Sequence, residues 1–424
     1  MNRIFRTVCV GLPLAAWAGY LALGHSLAFW VAGKWGPKIV AAGDGKFSDA
    51  GTFIQARLFE GAWLMTATLG ILLVVVYLGG VWARKLPELW HWVSYSVCGF
   101  VGLNVWLKVA MTTVLFWGVF WNGKGTTDSL TQFNMKLLLM KENSAPTQVI
   151  LAGSSQIHAQ VDHRLLNEQL GKGFNCTDLG FPGNRANDFL WLNRQLEGSR
   201  ASIIVCYVSE GSFFNDGLSI GVPVFLSMRD LPEFMRLGWR LDWDSKSMKY
   251  AILANFAPVF RMRDSVSQRV LGDGLNRLPQ RRRDSTLASD LIERANVAAP
   301  YYHFGPQVPF EMAALDAFIA KCHSKNQRVV ICCGQMNPIL ASRIPAELRP
   351  RMRDYLHQLA AKHSNMRLLD QDVLPLQTEA NYEDLTHVNR NAQIQFTKLI
   401  GVELEKMASS QGSPTAGGDV SILR

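Results

Sequence analysis

From Thr147 onward, short runs of β-branched and apolar residues alternate with amphipathic stretches, and most of the runs stop at a turn rich in Gly or Ser. The runs are Thr147–Ala152 before Gly153-Ser154-Ser155, Phe174–Leu179 before Gly180-Phe181-Pro182-Gly183, and Ala201–Val208 before Ser209-Glu210-Gly211, then Arg328–Cys333 and Met366–Leu369. Between and after them, Asp162–Leu170, Asn184–Glu197, Phe310–Ser324, Glu347–His363 and Asn389–Met407 carry helical spacing. Strands joined through helices pair in parallel, and a parallel sheet needs cover on both faces. The pattern therefore predicts an α/β fold with a mostly parallel sheet over residues 147–407. Functional residues are expected beyond the carboxyl ends of the strands. The rhythm breaks at about 213–306, a large insertion dominated by aromatics, Arg and Met.

The first 121 residues are of another kind. Three apolar stretches, Val8–Ala32, Gly61–Ala83 and Val93–Trp121, are each long enough to cross a hydrocarbon core, which takes roughly 20 helical residues. The first exceeds a typical signal-peptide core and lacks a clear small-x-small cleavage site. A membrane domain of three N-terminal transmembrane helices is expected. Arg3 and Arg6 before the first stretch and Arg84 and Lys85 after the second belong in the cytoplasm by the positive-inside rule. Three crossings then put the α/β domain outside it, which predicts a bacterial inner-membrane protein with a periplasmic C-terminal domain. Lys108 lies within the third stretch, where an ammonium needs a partner, water or a route to the interface. It reads as a snorkelling or packing lysine, or as a contact with a partner membrane protein. Residues 122–146 form a polar link and an amphipathic helix, Ser129–Asn143, and the Ser/Gly-rich 408–424 reads as a disordered tail.

The net charge of +9 comes without any basic-aromatic motif of nucleic-acid readers, so no nucleic-acid partner is expected; membrane-flanking Lys and Arg explain part of it. The seven Cys include no Cys-x-x-Cys and no zinc spacing. An odd count argues against a complete disulfide framework and leaves room for one bond. Cys206, Cys332 and Cys333 sit in strand-like runs and read as small core residues. No metal or cofactor signature is present.

Two short segments carry chemistry when taken together. Gly153-Ser154-Ser155 follows the first strand, where a turn presents a serine. Asp384-Leu385-Thr386-His387 precedes the last helix, and Asp and His three apart on a loop bring carboxylate to imidazole. Each alone is ordinary turn chemistry. The order and position of the pair resemble the SGNH (GDSL-type) hydrolase superfamily over residues 147–407. That resemblance implies a flavodoxin-like three-layer domain, with Ser155 as nucleophile and Asp384 and His387 completing its site. It also implies an oxyanion hole from the N–H groups of Ser155 and Gly183, with Gly180 as the weaker counterpart. The family's third block, Gly-x-Asn, whose Asn side chain completes the oxyanion hole, is replaced here by Val208-Ser209-Glu210-Gly211, and Asn215, off the usual spacing, takes that oxyanion role only if the loop differs. The plan further resembles membrane-anchored members that assist glycan acylation, such as the D-alanyl-transfer subunit of teichoic-acid modification and the alginate O-acetylation proteins. It implies an acyl donor, a glycan acceptor and a partner of the membrane-bound O-acyltransferase (MBOAT) type. The expected function is O-acylation, most simply O-acetylation, of an envelope polysaccharide. A membrane-anchored carbohydrate esterase and a non-catalytic assembly subunit are the alternatives.

Other residues have two readings each. His158 and His163 lie near Ser155 in sequence; His158 lines the cleft or is a helix-entry or surface histidine. Glu210 faces the cleft or caps a turn. Arg281-Arg282-Arg283 binds an anionic glycan or lipid headgroup, or is a solvated run. Trp239 and Trp243 stack on sugar rings or pack in a core. Asn337 and Pro338 follow the fourth strand and are expected at the rim of the site.

Overall fold

A computed structural model of the protein describes residues 64, 68, 70, 72, 76, 87–112, 129–142, 147–215, 221–240, 249, 252, 253, 255, 257, 288–370, 373, 374 and 377–409. The chain divides into two compact units, Met1–Asn143 with Leu218–Arg281, and Ser144–Gly217 with Arg282–Arg424. The expected insertion at 213–306 is thus not one body, because its middle belongs with the N-terminal part of the chain.

The second unit is built on a five-stranded parallel sheet, β1 (Thr147–Ala152), β2 (Phe174–Asp178), β3 (Ala201–Val208), β4 (Arg328–Cys333) and β5 (Met366–Leu369), in the order β2-β1-β3-β4-β5. The register aligns the strand ends on one edge: Leu151 lies beside Asp178, Ala152 beside Cys206, and Val208 beside Cys333. Every residue of β3 except Ser202 is buried, as a central parallel strand requires. Val149, Leu151, Ile203, Val205, Val330 and Cys332 face one layer, packed with Leu166 and Leu170 of helix His163–Leu170 and Phe396, Ile400 and Leu404 of helix Arg390–Ser409. The opposite layer includes helix Asp188–Gln195 and helix Val308–Ser324, whose Phe189 and Phe318 rings lie 5.3 Å apart. The α/β expectation holds in full at this level.

Strand order reverses on either side of β1, so the crevice beyond β1 and β3 is the topological switch point where such sheets bind ligands. Cys176, Cys206, Cys322, Cys332 and Cys333 are buried free thiols, and burial pushes Cys333 up to about 12. They are core residues without thiolate reactivity.

In the first unit, Glu88–Ala110 is a 23-residue helix. Its segment Trp92–Ala110 is, among the described residues, the one helix long and apolar enough to cross a membrane. Phe100, Val101, Leu103 and Val105 are exposed on it while Leu107 and Ala110 are buried. The helix ends at Ala110, and residues 113–121 of the third expected span lie outside the described residues. Met111 N–H bonds Leu107 O, and Thr112 closes back onto Val109 through both backbone and hydroxyl, so the chain turns there. Lys108 is exposed in the last turn, where a cation suits the helix dipole. The first expected span, most of the second, the basic clusters that set orientation, Trp243, Arg281–Arg283 and residues 410–424 lie outside the described residues. Helix Ser129–Glu142 packs Phe133 against Phe225 of helix Gly221–Phe225, ring centroids 4.7 Å apart. Trp239 is buried edge-on against Phe234 at 5.5 Å, so it is a packing residue and not a sugar platform.

Candidate active site

The β1 strand ends in a bend only glycine adopts. Gly153 has φ +147°, and a Cβ there would lie 2.9 Å from Tyr207 O, a backbone atom with nowhere to go. The bend opens helix Ser155–Gln160. Ser154 caps it, its hydroxyl accepting Gln156 N–H at 3.3 Å, and Ser155 takes the first helical position. The two adjacent serines therefore differ: Ser154 is tied to the backbone, and Ser155 presents its hydroxyl to His387.

The last helix brings its preceding loop to this serine. Gln393 Nε2 donates to His158 O at 2.8 Å, and Asp162 N–H donates to Thr397 Oγ1 at 2.9 Å, docking helix Arg390–Ser409 on the helix of Ser155. The loop itself is closed by the Tyr382–Val388 bridge and by Glu383 N–H to His387 O at 2.9 Å. Asn337, 1 % exposed, grips it from beneath: its Nδ2 donates to Asp384 O at 3.1 Å and its N–H to Leu385 O at 3.1 Å. Asn337 thus supports the site and does not rim it.

Ser155 Oγ lies 2.9 Å from His387 Nε2, and His387 Nδ1 lies 2.8 Å from Asp384 Oδ2. The carboxylate partner fixes the tautomer: Nδ1–H donates to Asp384, leaving Nε2 to accept the Ser155 proton. Asp384 Oδ1 accepts the N–H groups of Thr386 and His387, each at 2.8 Å. Burial works to raise the Asp384 carboxyl, but the hydrogen bond and charge of His387 and these two N–H groups outweigh it. The carboxyl is held well below the ordinary carboxylate range. It stays ionised at every pH at which an imidazole base works.

The loop after β2 supplies backbone donors selectively. Asp178 Oδ1 takes Gly180 N–H at 2.9 Å, Leu151 O takes Leu179 N–H at 2.9 Å, and Gly153 O takes Phe181 N–H at 2.9 Å. Pro182 has no N–H. Phe181–Asn184 forms a Pro-Gly turn with Gly183 at φ +74° and Asn184 N–H bonding Phe181 O at 3.1 Å. Among the described residues, no hydrogen bond engages the N–H of Gly183 or of Ser155. Of the two glycines weighed from sequence, Gly183 keeps a free donor and Gly180 does not.

Asn215 is drawn elsewhere, into an antiparallel bridge with Tyr302 and a side-chain hydrogen bond to its phenol. At the position of the missing third block, Ser209 Oγ donates to Gln156 Oε1 at 2.8 Å. Glu210 is 1 % exposed and bonded to the partly exposed Arg349 at Nη1, 2.6 Å away, so it is a buried ion-paired carboxylate and not a cleft residue. His163 opens its helix behind Asp162, whose Oδ1 accepts Arg164 N–H at 2.9 Å. His158 has a partner no sequence spacing revealed: its Nδ1 bonds Asp178 Oδ2, at the end of β2. The signals missed in the sequence were Asp178, Gln156 and Ser209, each of which meets its partner only once the strands are in register. Among the described residues no cluster of His, Cys, Asp and Glu is arranged to hold a metal ion. No family model matches the chain, and no curated protein is similar enough to it to count as a relative.

Proposed function

We propose that the α/β unit is a serine acyltransferase of SGNH type that O-acylates, most simply O-acetylates, an envelope glycan. The observation that carries this reading is the unbroken hydrogen-bonded series Ser155–His387–Asp384 at the switch point of a parallel sheet. The strand order and the two helical layers are also those of a flavodoxin-like domain.

In the reading, Ser155 Oγ bonds to the acyl carbon of the donor as His387 Nε2 takes its proton. The carbonyl electron pair moves onto oxygen and is met by the N–H groups of Ser155 and Gly183. Collapse breaks the bond to the leaving group, which takes the proton from His387. A sugar hydroxyl then gives its proton to His387 and attacks the acyl carbon. Ser155 departs and regains its proton. Water in place of the sugar makes the same site an esterase, and the acceptor decides between the two. A non-catalytic subunit would need no such Ser155–His387 contact, so the 2.9 Å bond speaks against it.

The apolar helix Trp92–Ala110 supports membrane attachment; a bacterial inner membrane, a periplasmic α/β unit and an MBOAT-type partner delivering acyl groups complete the proposal on the resemblance alone. The test of the chemistry is trapping: incubation with an activated acetyl ester, followed by mass spectrometry, is expected to find acetyl on Ser155. Acetyl on no serine, with the protein folded, overturns the reading. For the topology, alkaline phosphatase fused after Asn143 is expected to be active, and an inactive fusion overturns it.

A further inference from the structure

In the SGNH pattern the third-block asparagine adds a side-chain donor to the two N–H groups of the oxyanion hole, and the corresponding position here holds Ser209, a hydroxyl on a shorter arm. We propose that Gln156 is that donor: Ser209 holds the amide oxygen of Gln156, and the Gln156 Nε2 hydrogens face the developing oxyanion. The inference rests on the acyl-transfer reading and identifies a catalytic residue within it.

Three observations converge. Gln156 is the residue directly after the nucleophile and is 7 % exposed, so its amide is confined beside Ser155 rather than sweeping through solvent. In the orientation of the structure, Oε1 accepts from Ser209 Oγ at 2.8 Å and lies 3.4 Å from Ser154 Oγ. With both hydroxyls on the amide oxygen, the amide nitrogen occupies the other end. Finally, Gln156 Nε2 has no hydrogen-bond partner among the described residues and is not one of the fully buried polar atoms, so it is not sealed in the core. A donor held in place, next to the nucleophile and unused in the resting protein, is what preorganised stabilisation of an oxyanion requires.

Ser209 is then a positioning residue. It is 1 % exposed, and its N–H bonds Ser212 Oγ at 3.2 Å, so its hydroxyl is fixed by the turn after β3. The amide that a third-block asparagine would bring directly from β3 comes instead from the β1 side, held by β3 through a hydroxyl. Asn184 is the other candidate in the neighbourhood, buried at 8 % with Oδ1 unpartnered, but no hydrogen bond of its side chain links it to the Ser155 turn.

The test uses p-nitrophenyl acetate and reads both the nitrophenolate burst and acetyl-Ser155 by mass. Wild type is expected to acetylate on Ser155. Gln156→Ala should slow acetylation about 10²–10³-fold, the loss typical of one oxyanion donor. Gln156→Glu, the same shape with acceptors only, should be at least as slow. Ser209→Ala should lose less, with the donor present but loosened. The decisive variant is Gln156→Ala/Ser209→Asn, which returns an amide to the β3 side and should recover part of the lost rate. Melting temperatures near wild type for Gln156→Glu separate lost chemistry from lost fold. Acetylation of Gln156→Ala within about threefold of wild type overturns the inference while leaving the serine mechanism standing. Collapse in Asn184→Ala with Gln156→Ala unaffected moves the donor to the β2 loop and also overturns it. Absence of acetyl-Ser155 in wild type removes the mechanism and the inference together.

Discussion

Two histidine–aspartate pairs contact the helix of Ser155, and they differ in what else the imidazole ring touches. His387 and Asp384 come from one loop, three residues apart, with side chains about a third exposed, at 31 % and 28 %. His158 and Asp178 come from a helix and a strand end, and Asp178 is 5 % exposed against 37 % for His158. In the first pair the far ring nitrogen reaches the Ser155 hydroxyl at 2.9 Å. In the second, the ring lies against Gly180, where a Cβ would come within 2.9 Å of His158 Cε1. Asp178 also takes Gly180 N–H at 2.9 Å. The second pair thereby ties the helix of Ser155 to the loop that carries Gly183. A carboxylate on an imidazole is not yet catalytic machinery. What the other nitrogen touches decides whether the pair moves a proton or holds a loop.

That contrast is easiest to break at its strongest point. Ser155→Ala or His387→Ala should lower acyl transfer by roughly 10⁴–10⁶-fold, and the double variant should be barely worse, because such groups act as a unit. Glycan acylation in cells at matched protein levels measures it, and normal acylation with Ser155→Ala would break the comparison outright. Asp384→Asn comes next, with a loss on the order of 10⁴ as the imidazole adopts the wrong tautomer. It also carries a pH signature. The Asp384 carboxyl is held low in the folded protein, so its contribution to stability is present above the unfolded value of about 3.9 and fades only as pH falls through the lower folded one. Thermal unfolding should show wild type above Asp384→Asn at neutral pH, with the gap closing only in strong acid. His158→Ala should cost less than about 10²-fold, the scale of a misplaced loop rather than a lost proton carrier. A loss as deep as that of His387→Ala would show that the second pair also reacts. The smallest effect belongs to Ser154→Ala, which removes a helix cap worth about 1 kcal/mol and should leave the chemistry nearly intact. Paired with Ser155→Ala, whose stability should change by less than about 1 kcal/mol, it should reverse the pattern of what is lost.

Much of this was legible before any coordinates. Thr147–Ala152, Ala201–Val208, Arg328–Cys333 and Met366–Leu369 are strands at the residues their composition marked, because buried parallel strands need unbroken apolar runs. The helix expected over Asn184–Glu197 begins only at Asp188. Asp188 N–H bonds Arg185 O at 3.2 Å and Phe189 N–H bonds Ala186 O at 3.3 Å, i→i−3 turns in place of an α-helical ladder, so the α-helix starts only after them. Ser155, Asp384 and His387 were readable because their loops lie at strand and helix ends that periodicity locates. Gln156 with Ser209, and His158 with Asp178, were not. Those contacts depend on how β1, β2 and β3 are set side by side, and spacing along the chain carries no trace of lateral register.

The Ser155–His387 contact joins residues 232 apart in sequence. Nearly the whole α/β unit is made in the interval, and the base arrives on the loop before the final helix. On the acyl-transfer reading, the nucleophile therefore exists during synthesis long before anything can activate it. Contacts between such distant segments form late, after their loop entropy has been offset by nearer ones. A nascent chain lacking its last helix holds a serine with the reactivity of any alcohol. Acyl donors met on the way to the final location would be left intact, and the reactive centre would be switched on by completion of folding itself.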